Sequence, residues 1–172
     1  MEHEQKFSRI AIVLGLIILG SLSRLIPHWP NFTALGAIAL FGGASFKPKY
    51  LSGLITLGVL FITDYLFFGF YPSMWTTYLA FLMISTFGTL IKKDSVTSVF
   101  THSLGASLLF FLVTNFASWL SIPSYPKNVS GLLLAYAQGL PFALNFTLGT
   151  LFFSSILFGM YKLSTKRLQL AA

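Results

Sequence analysis

Long apolar runs fill this chain, and its basic residues are confined to the short connections between those runs. Of the 11 Lys and Arg residues, two lie in alternate connections, at Arg24 and Lys127, and nine lie in the others: Lys6, Arg9, Lys47, Lys49, Lys92, Lys93, Lys162, Lys166 and Arg167. Since Lys and Arg are enriched in cytoplasmic loops, the side with nine is expected to be cytoplasmic. This alternation predicts six membrane crossings with both termini in the cytoplasm.

The composition also indicates an integral membrane protein. Hydrophobic residues make up 55% of the chain, charged residues make up 9%, and the mean hydropathy is +0.79. At about 20 residues per crossing, 172 residues leave no length for a soluble domain. We therefore predict an all-α, polytopic membrane protein with a single domain over residues 1–172. The net charge of +7 follows from topology, so the expected partner is membrane lipid, with no role in nucleic acid binding.

The apolar runs predict six helices, over residues 7–25, 33–46, 50–68, 74–91, 96–120 and 132–161. The second is short for a full crossing, and Pro141 predicts a kink in the last one because proline removes a backbone hydrogen bond.

The three predicted outer connections, residues 24–32, 69–75 and 121–131, are rich in proline and aromatic residues. One interpretation is a rigid lid over a ligand site, since proline restricts the backbone and aromatic rings provide broad contact area. The other is that the rings anchor helix ends at the lipid headgroups. The candidates for a lid are Trp29, Tyr71, Trp75 and Tyr125.

Polar side chains within the predicted helices fall at similar depths, toward the outer side. Because polar groups are costly in hydrocarbon, they tend to face a bundle interior or a cavity. They predict an outward-facing pocket formed by Arg24, His28, Asn31, Asp64, Asn115, Trp119, Gln138 and Asn145. Arg24 and Asp64 could form a structural ion pair or contact the ligand, and the amides could equally hold helices together by hydrogen bonds.

Catalytic and metal-binding signatures are not found in the sequence. The chain has no Cys, and the predicted topology separates His28 from His102. No Ser/His/Asp set converges on one side, and no glycine-rich loop has the pattern of a phosphate site. We expect no enzyme activity, no catalytic residue, no metal and no cofactor.

Ala11 and Gly15 form a small-xxx-small pair near the inner end of the first helix, and Ala39 with Gly43 forms another on the second. Such pairs allow close helix approach, which makes Ala11 and Gly15 candidates for docking a partner protein.

Several motifs together resemble a known bacterial family. They are Arg24 to Thr33 (RLIPHWPNFT), Leu40 to Ala44, Asp64, Thr114 to Phe116 with Trp119, Gly131-Leu132, Pro141-Phe142, Asn145 and Leu157 to Gly159. The chain is similar over nearly its whole length to an uncharacterised family described as similar to the S component of energy-coupling factor (ECF) transporters. The resemblance implies a six-helix bundle in the bacterial cytoplasmic (inner) membrane. Such a bundle captures a vitamin-like substrate and docks on a transmembrane coupling subunit with two ATPases.

Our leading hypothesis is a membrane-embedded, S-component-like substrate-binding subunit for uptake of a vitamin or similar micronutrient. A second hypothesis is an accessory or structural subunit of a larger membrane complex that has no ligand of its own. A third is a solitary transporter or channel in which Asp64 carries a proton or cation.

Overall fold

Six helices make up the described part of the chain, and the predicted all-helical fold is confirmed for it. The computed structural model describes residues 2–23, 29–71 and 73–170, with only the backbone described for residues 2–9, 68 and 167–170. The helices are α1 (Glu2–Leu22), α2 (Leu35–Ser45), α3 (Tyr50–Thr63), α4 (Met74–Gly88), α5 (Val96–Ser121) and α6 (Val129–Leu170), and a π-helical turn over Asp64–Phe68 continues α3. The last helix is uninterrupted at Pro141.

The short helix α2 lies at the centre of the bundle. It contacts all five other helices, and residues 35–43 are buried on every side. A helix that is apolar all round is stable only when it is enclosed. The length of α2 therefore reflects a position surrounded by protein.

Glycine allows α2 and α4 to approach closely near their carboxyl ends. A Cβ atom at Gly43 would overlap the carbonyl oxygen of Ser85, and a Cβ at Gly88 would lie 2.5 Å from the carbonyl oxygen of Leu40. On the neighbouring side, the hydroxyls of Ser52 on α3 and Ser85 on α4 share a buried hydrogen bond of 2.6 Å. These contacts leave no space for a side chain between the two backbones.

The outer surface of the bundle indicates a membrane protein. Within the described ranges, three helices are long and apolar enough to cross a membrane, Tyr50–Phe67, Val96–Ser121 and Val129–Lys166. Large side chains are exposed at four-residue intervals along α5, at Phe100, Leu104, Leu108, Leu112, Phe116 and Leu120. Soluble proteins rarely expose so long an apolar surface. The other apolar helices are shorter, so the sixfold crossing stays a prediction.

Substitution of Gly43 by Ala tests the close contact between α2 and α4. The added methyl group must displace the α4 backbone, and we expect a loss of about 2 kcal/mol in the free energy of unfolding. The control is Gly58→Ala on α3, where a Cβ would meet no atom within 4 Å. There, the better helix propensity of alanine should raise stability by up to about 1 kcal/mol. Thermal unfolding in detergent measures both, and shifts of equal sign and size would contradict the packing.

Candidate functional site

A cavity of about 470 Å³ opens at the end of the bundle where α3 and α5 end and α4 and α6 begin. Its polar lining residues are Asn31, Thr33, Tyr71, Thr77, Thr114, Asn115, Ser118, Tyr125 and Gln138. Its other lining residues are Leu35, Leu60, Phe81, Phe110, Ile122, Ala135, Gly139, Phe142 and Phe146. Within the part of the chain that the structure describes, this lining contains no charged side chain.

Aromatic rings form part of the cavity wall. The rings of Phe110 and Phe146 are stacked, with centroids 4.2 Å apart and an angle of 11° between their planes. Phe81 lies against both, at 5.2 Å from Phe110 and 6.1 Å from Phe146. Phe81 and Phe146 are each 2% exposed and Phe110 is half-buried, so Phe110 offers the accessible part of this apolar wall.

The polar face of α5 presents hydrogen-bond acceptors to the cavity. The hydroxyl of Thr114 donates to the carbonyl of Phe110 at 2.8 Å, and that of Ser118 donates to the carbonyl of Thr114 at 2.9 Å. The amide nitrogen of Asn115 donates to the carbonyl of Phe111 at 2.8 Å. The hydroxyl protons of Thr114 and Ser118 and one of the two amide protons of Asn115 are used within the helix, so the groups left for a ligand are the oxygen lone pairs and the second Asn115 N–H.

Gly139 on α6 makes room for Asn115 on α5. A Cβ atom at position 139 would overlap the Asn115 amide and would lie only 2.6 Å from its Cγ. The absence of a side chain at Gly139 thus lets the Asn115 amide occupy the space between α5 and α6 beside the cavity.

The connection between α5 and α6, residues 122–128, is fastened, in the sense that hydrogen bonds hold it near both ends. The indole nitrogen of Trp119 donates to the carbonyl of Pro126 at 2.9 Å, and the Lys127 ammonium donates to the carbonyl of Ile122 at 2.9 Å. Asn128 then caps α6, since its side-chain oxygen accepts the Gly131 backbone N–H at 3.0 Å. Trp119 therefore holds this connection in place and is not among the cavity lining residues.

Tyr125 links this fastened connection to the wall of the cavity. Its hydroxyl donates to the side-chain oxygen of Gln138 at 2.6 Å. With that oxygen engaged, the Gln138 amide nitrogen is the group that could donate to a ligand. The pair supplies one donor amide and one phenolic acceptor at the cavity.

The connection before α2 is fixed to α6 by Asn145. The amide nitrogen of Asn145 donates to the carbonyl of Pro30 at 3.0 Å, across 115 residues of sequence. The next residue, Asn31, has φ of 65°, in the left-handed region that Asn adopts more readily than most residues. A Cβ at Gly149 would lie 3.0 Å from the backbone nitrogen of Thr33, so this connection runs directly over α6. Asn145 thus positions Asn31 and does not line the cavity.

Asp64 is buried next to the cavity but is not among its lining residues. The Tyr78 hydroxyl on α4 donates to the Asp64 carboxylate at 3.0 Å, and Asp64 is 0% exposed. It begins the π-helical turn, which closes when the backbone N–H of Gly69 reaches the Asp64 carbonyl at 2.6 Å. Arg24, the predicted partner of Asp64, lies outside the described residues, as does His28.

The remaining predicted residues lie on the surface. Trp29 is 67% exposed and Trp75 is 75% exposed, and neither lines the cavity. Ala11 is exposed, and a Cβ at Gly15 would meet no atom within 4 Å.

No group of three His, Asp or Glu side chains that could hold a metal ion occurs among the described residues.

Five predicted residues therefore meet at the cavity, and the sequence interpretation did not include several of their neighbours. The five are Asn31, Tyr71, Asn115, Tyr125 and Gln138. The spacing of the other lining residues along α5 and α6 could have indicated them. Thr114 and Ser118 flank Asn115 on one face of α5, and Ala135, Gly139, Phe142 and Phe146 recur at intervals of three or four on α6.

Comparison with known proteins places the chain in one family. Residues 4–171 match the family described as "Family of unknown function (DUF6580)", and the chain belongs to that family. No curated protein and no solved structure matches the chain significantly.

Replacement of Asn145 by Ala tests the fastening of the connection before α2. Loss of the bond to the Pro30 carbonyl should cost about 1 kcal/mol, which corresponds to roughly fivefold faster local opening. Hydrogen exchange of the segment 29–34 in detergent measures this change. Thr147→Ala is the control, because the Thr147 hydroxyl donates to the Ala143 carbonyl of its own helix. Equal exchange in both variants would show that Asn145 does not hold the segment.

Proposed function

We propose that this member of the family is a membrane-embedded substrate-binding subunit for uptake of a vitamin or similar micronutrient, similar to the S component of ECF transporters. The cavity of about 470 Å³ beneath two fastened connections is the observation that carries the proposal. Small-molecule sites commonly have volumes of roughly 300–1,000 Å³. This cavity falls in that range, and about half of its lining residues are polar. In this proposal the site binds its ligand and does not transform it.

The lining supports a neutral ligand with a planar ring and hydrogen-bond donors. A charged ligand would lose its hydration without gaining an opposite charge from the described lining residues. The half-buried Phe110 ring, which is stacked on Phe146, suits a flat apolar part, while the Thr114, Ser118 and Asn115 oxygens suit N–H or O–H groups. The Gln138 amide nitrogen would bond one acceptor on the ligand.

The proposal includes six crossings, with the cavity facing outward and both termini in the cytoplasm. The distribution of lysines supports this orientation, because Lys47, Lys49, Lys92, Lys93 and Lys162 belong to the opposite end from the cavity. A cavity that faced outward could take substrate directly from the medium.

Single-cysteine labelling tests this orientation, since the chain has no native Cys. Ser124 and Thr97 are small, exposed and at opposite ends of α5. A membrane-impermeant maleimide added to intact cells should label Ser124→Cys strongly and Thr97→Cys only after the membrane is permeabilised. The reverse pattern would overturn the orientation, and labelling of both in intact cells would overturn the crossing of α5.

Filling the cavity tests ligand binding. Thr77 on α4 lines the cavity and its neighbour Thr76 does not, although both are half-buried. Thr77→Phe should reduce at least tenfold the amount of small molecule that copurifies with the protein, measured by mass spectrometry, and Thr76→Phe should leave that amount unchanged.

Gln138→Leu should weaken binding of the same molecule by roughly 5- to 30-fold, for a lost hydrogen bond of about 1–2 kcal/mol. Equal retention by all three variants would remove this cavity from the proposal.

The open face of α1 supports a partner in the membrane, as the resemblance implies. Ala11 is exposed and a Cβ at Gly15 would meet no atom within 4 Å, and small residues let another helix approach closely. A transmembrane coupling subunit with two ATPases is the proposed partner. If the protein instead holds a stable partner in detergent and its cavity binds no small molecule, the accessory-subunit function is favoured.

A further inference from the structure

A second cavity lies at the opposite end of the bundle from the proposed substrate site. It has a volume of about 240 Å³ and lies between the first turns of α5 and the second half of α6. Val99 and Phe158 are buried in its wall, whereas Phe100 is 51% exposed at its edge. We call this cavity the basic-end groove. Its exposed edge is apolar, so it opens sideways onto the surface that the membrane would cover.

A buried hydroxyl in the wall of the groove has no hydrogen-bond partner among the described residues. Ser154 is 1% exposed, and its oxygen makes no hydrogen bond within those ranges. The neighbouring serines differ, because Ser103 donates to the Val99 carbonyl at 2.8 Å and Ser155 donates to the Leu151 carbonyl at 2.8 Å. Burial without a partner is unfavourable, which points to an acceptor supplied from outside the chain.

The mouth of the groove carries a net positive charge. Lys93, Lys162 and Asp94 line it, so two cations face one carboxylate. The Lys93 ammonium is held 4.7 Å above the ring of Tyr161 and 3.5 Å from its hydroxyl. Lys162 is exposed and lies eight residues from Ser154, or about 12 Å along the helix at 1.5 Å per residue. The groove therefore has positive charge at its mouth and a mostly apolar interior, in which the hydroxyls of Ser103 and Ser155 are hydrogen-bonded and that of Ser154 has no partner among the described residues.

We propose that the basic-end groove binds one glycerophospholipid with an anionic headgroup. Lys93 and Lys162 would contact the phosphate, the Ser154 hydroxyl would donate to an ester carbonyl, and the apolar wall would receive part of an acyl chain. Basic pockets between membrane helices bind anionic headgroups for this electrostatic reason. A free fatty acid offers no ester oxygen below its charged group, so it accounts for the lysines but not for Ser154.

Native mass spectrometry of the purified protein tests the proposal. Phosphatidylglycerol should form a one-to-one adduct at least tenfold more abundant than phosphatidylcholine with the same acyl chains. Lys93→Gln combined with Lys162→Gln should reduce that preference at least fivefold. Lys166→Gln is the control, because Lys166 is exposed one turn beyond Lys162 and does not line the groove. Equal binding of the two lipids, or an equal loss in the control, would overturn the proposal.

Filling the groove from its edge gives a second test that does not alter charge. Ser155 is exposed and lines the groove, so Ser155→Trp should reduce the adduct at least tenfold. Thr101→Trp on α5 is the matched control, since Thr101 is exposed, lies outside the groove and bonds its own helix in the same way. Inorganic phosphate at the lipid concentration should leave the adduct in place because it lacks the acyl chain. Full displacement by phosphate, or equal effects of the two tryptophans, would contradict the proposal.

Discussion

The enclosure of α2 by the other five helices is the constraint on which the rest of the bundle depends. Gly43 and Gly88 allow the backbones of α2 and α4 to touch. Another side of α2 packs against α6, where the ring centroid of Phe41 on α2 lies 5.2 Å from that of Phe158 on α6. The start of α2 is also tightly packed, because a Cβ at Gly36 would overlap the Thr150 hydroxyl on α6. Leu35 in this first turn and Asn31 in the preceding connection line the cavity.

Side-chain hydrogen bonds at the cavity end divide into those that fasten connections and those that present groups to a ligand. Asn145 and Trp119 donate to backbone carbonyls of connections, and each therefore stabilises a segment of the cavity rim. Thr114 and Ser118 donate within their own helix and leave oxygen lone pairs toward the cavity. A rim that is fastened before binding lowers the entropy cost of closing around a ligand.

The two ends of the bundle differ in charge and in the way they open. Among the described residues, the larger cavity has no charged side chain in its lining and lies between connections held by hydrogen bonds, whereas the basic-end groove has lysines at its mouth and an apolar edge beside α5. The first arrangement favours a small neutral ligand. The second favours a lipid, because its phosphate would lie beside the lysines at the mouth and its acyl chain beside the apolar wall deeper in the groove.

Part of the cavity lining could be found from the sequence, because depth along a helix can be counted in residues. Residue counting placed Asn115 and Gln138 at one level, and both line the cavity. Counting could not show that Asn145 bonds Pro30 or that Trp119 bonds Pro126, and neither Asn145 nor Trp119 lines the cavity. The nearby hydroxyls of Thr114 and Ser118 were not recognised because Thr and Ser are common in membrane helices and their role depends on which face meets the cavity.

By itself, the sequence determined that the chain is helical and apolar, and it determined the levels at which its polar and basic residues occur, since composition and helical periodicity are local properties. The tertiary structure decided which of these residues face each other. Whether an amide lines a cavity or holds a loop depends on the rotation of its helix and on the acceptor that another segment brings within about 3 Å. That acceptor can lie more than a hundred residues away, as Pro30 does for Asn145.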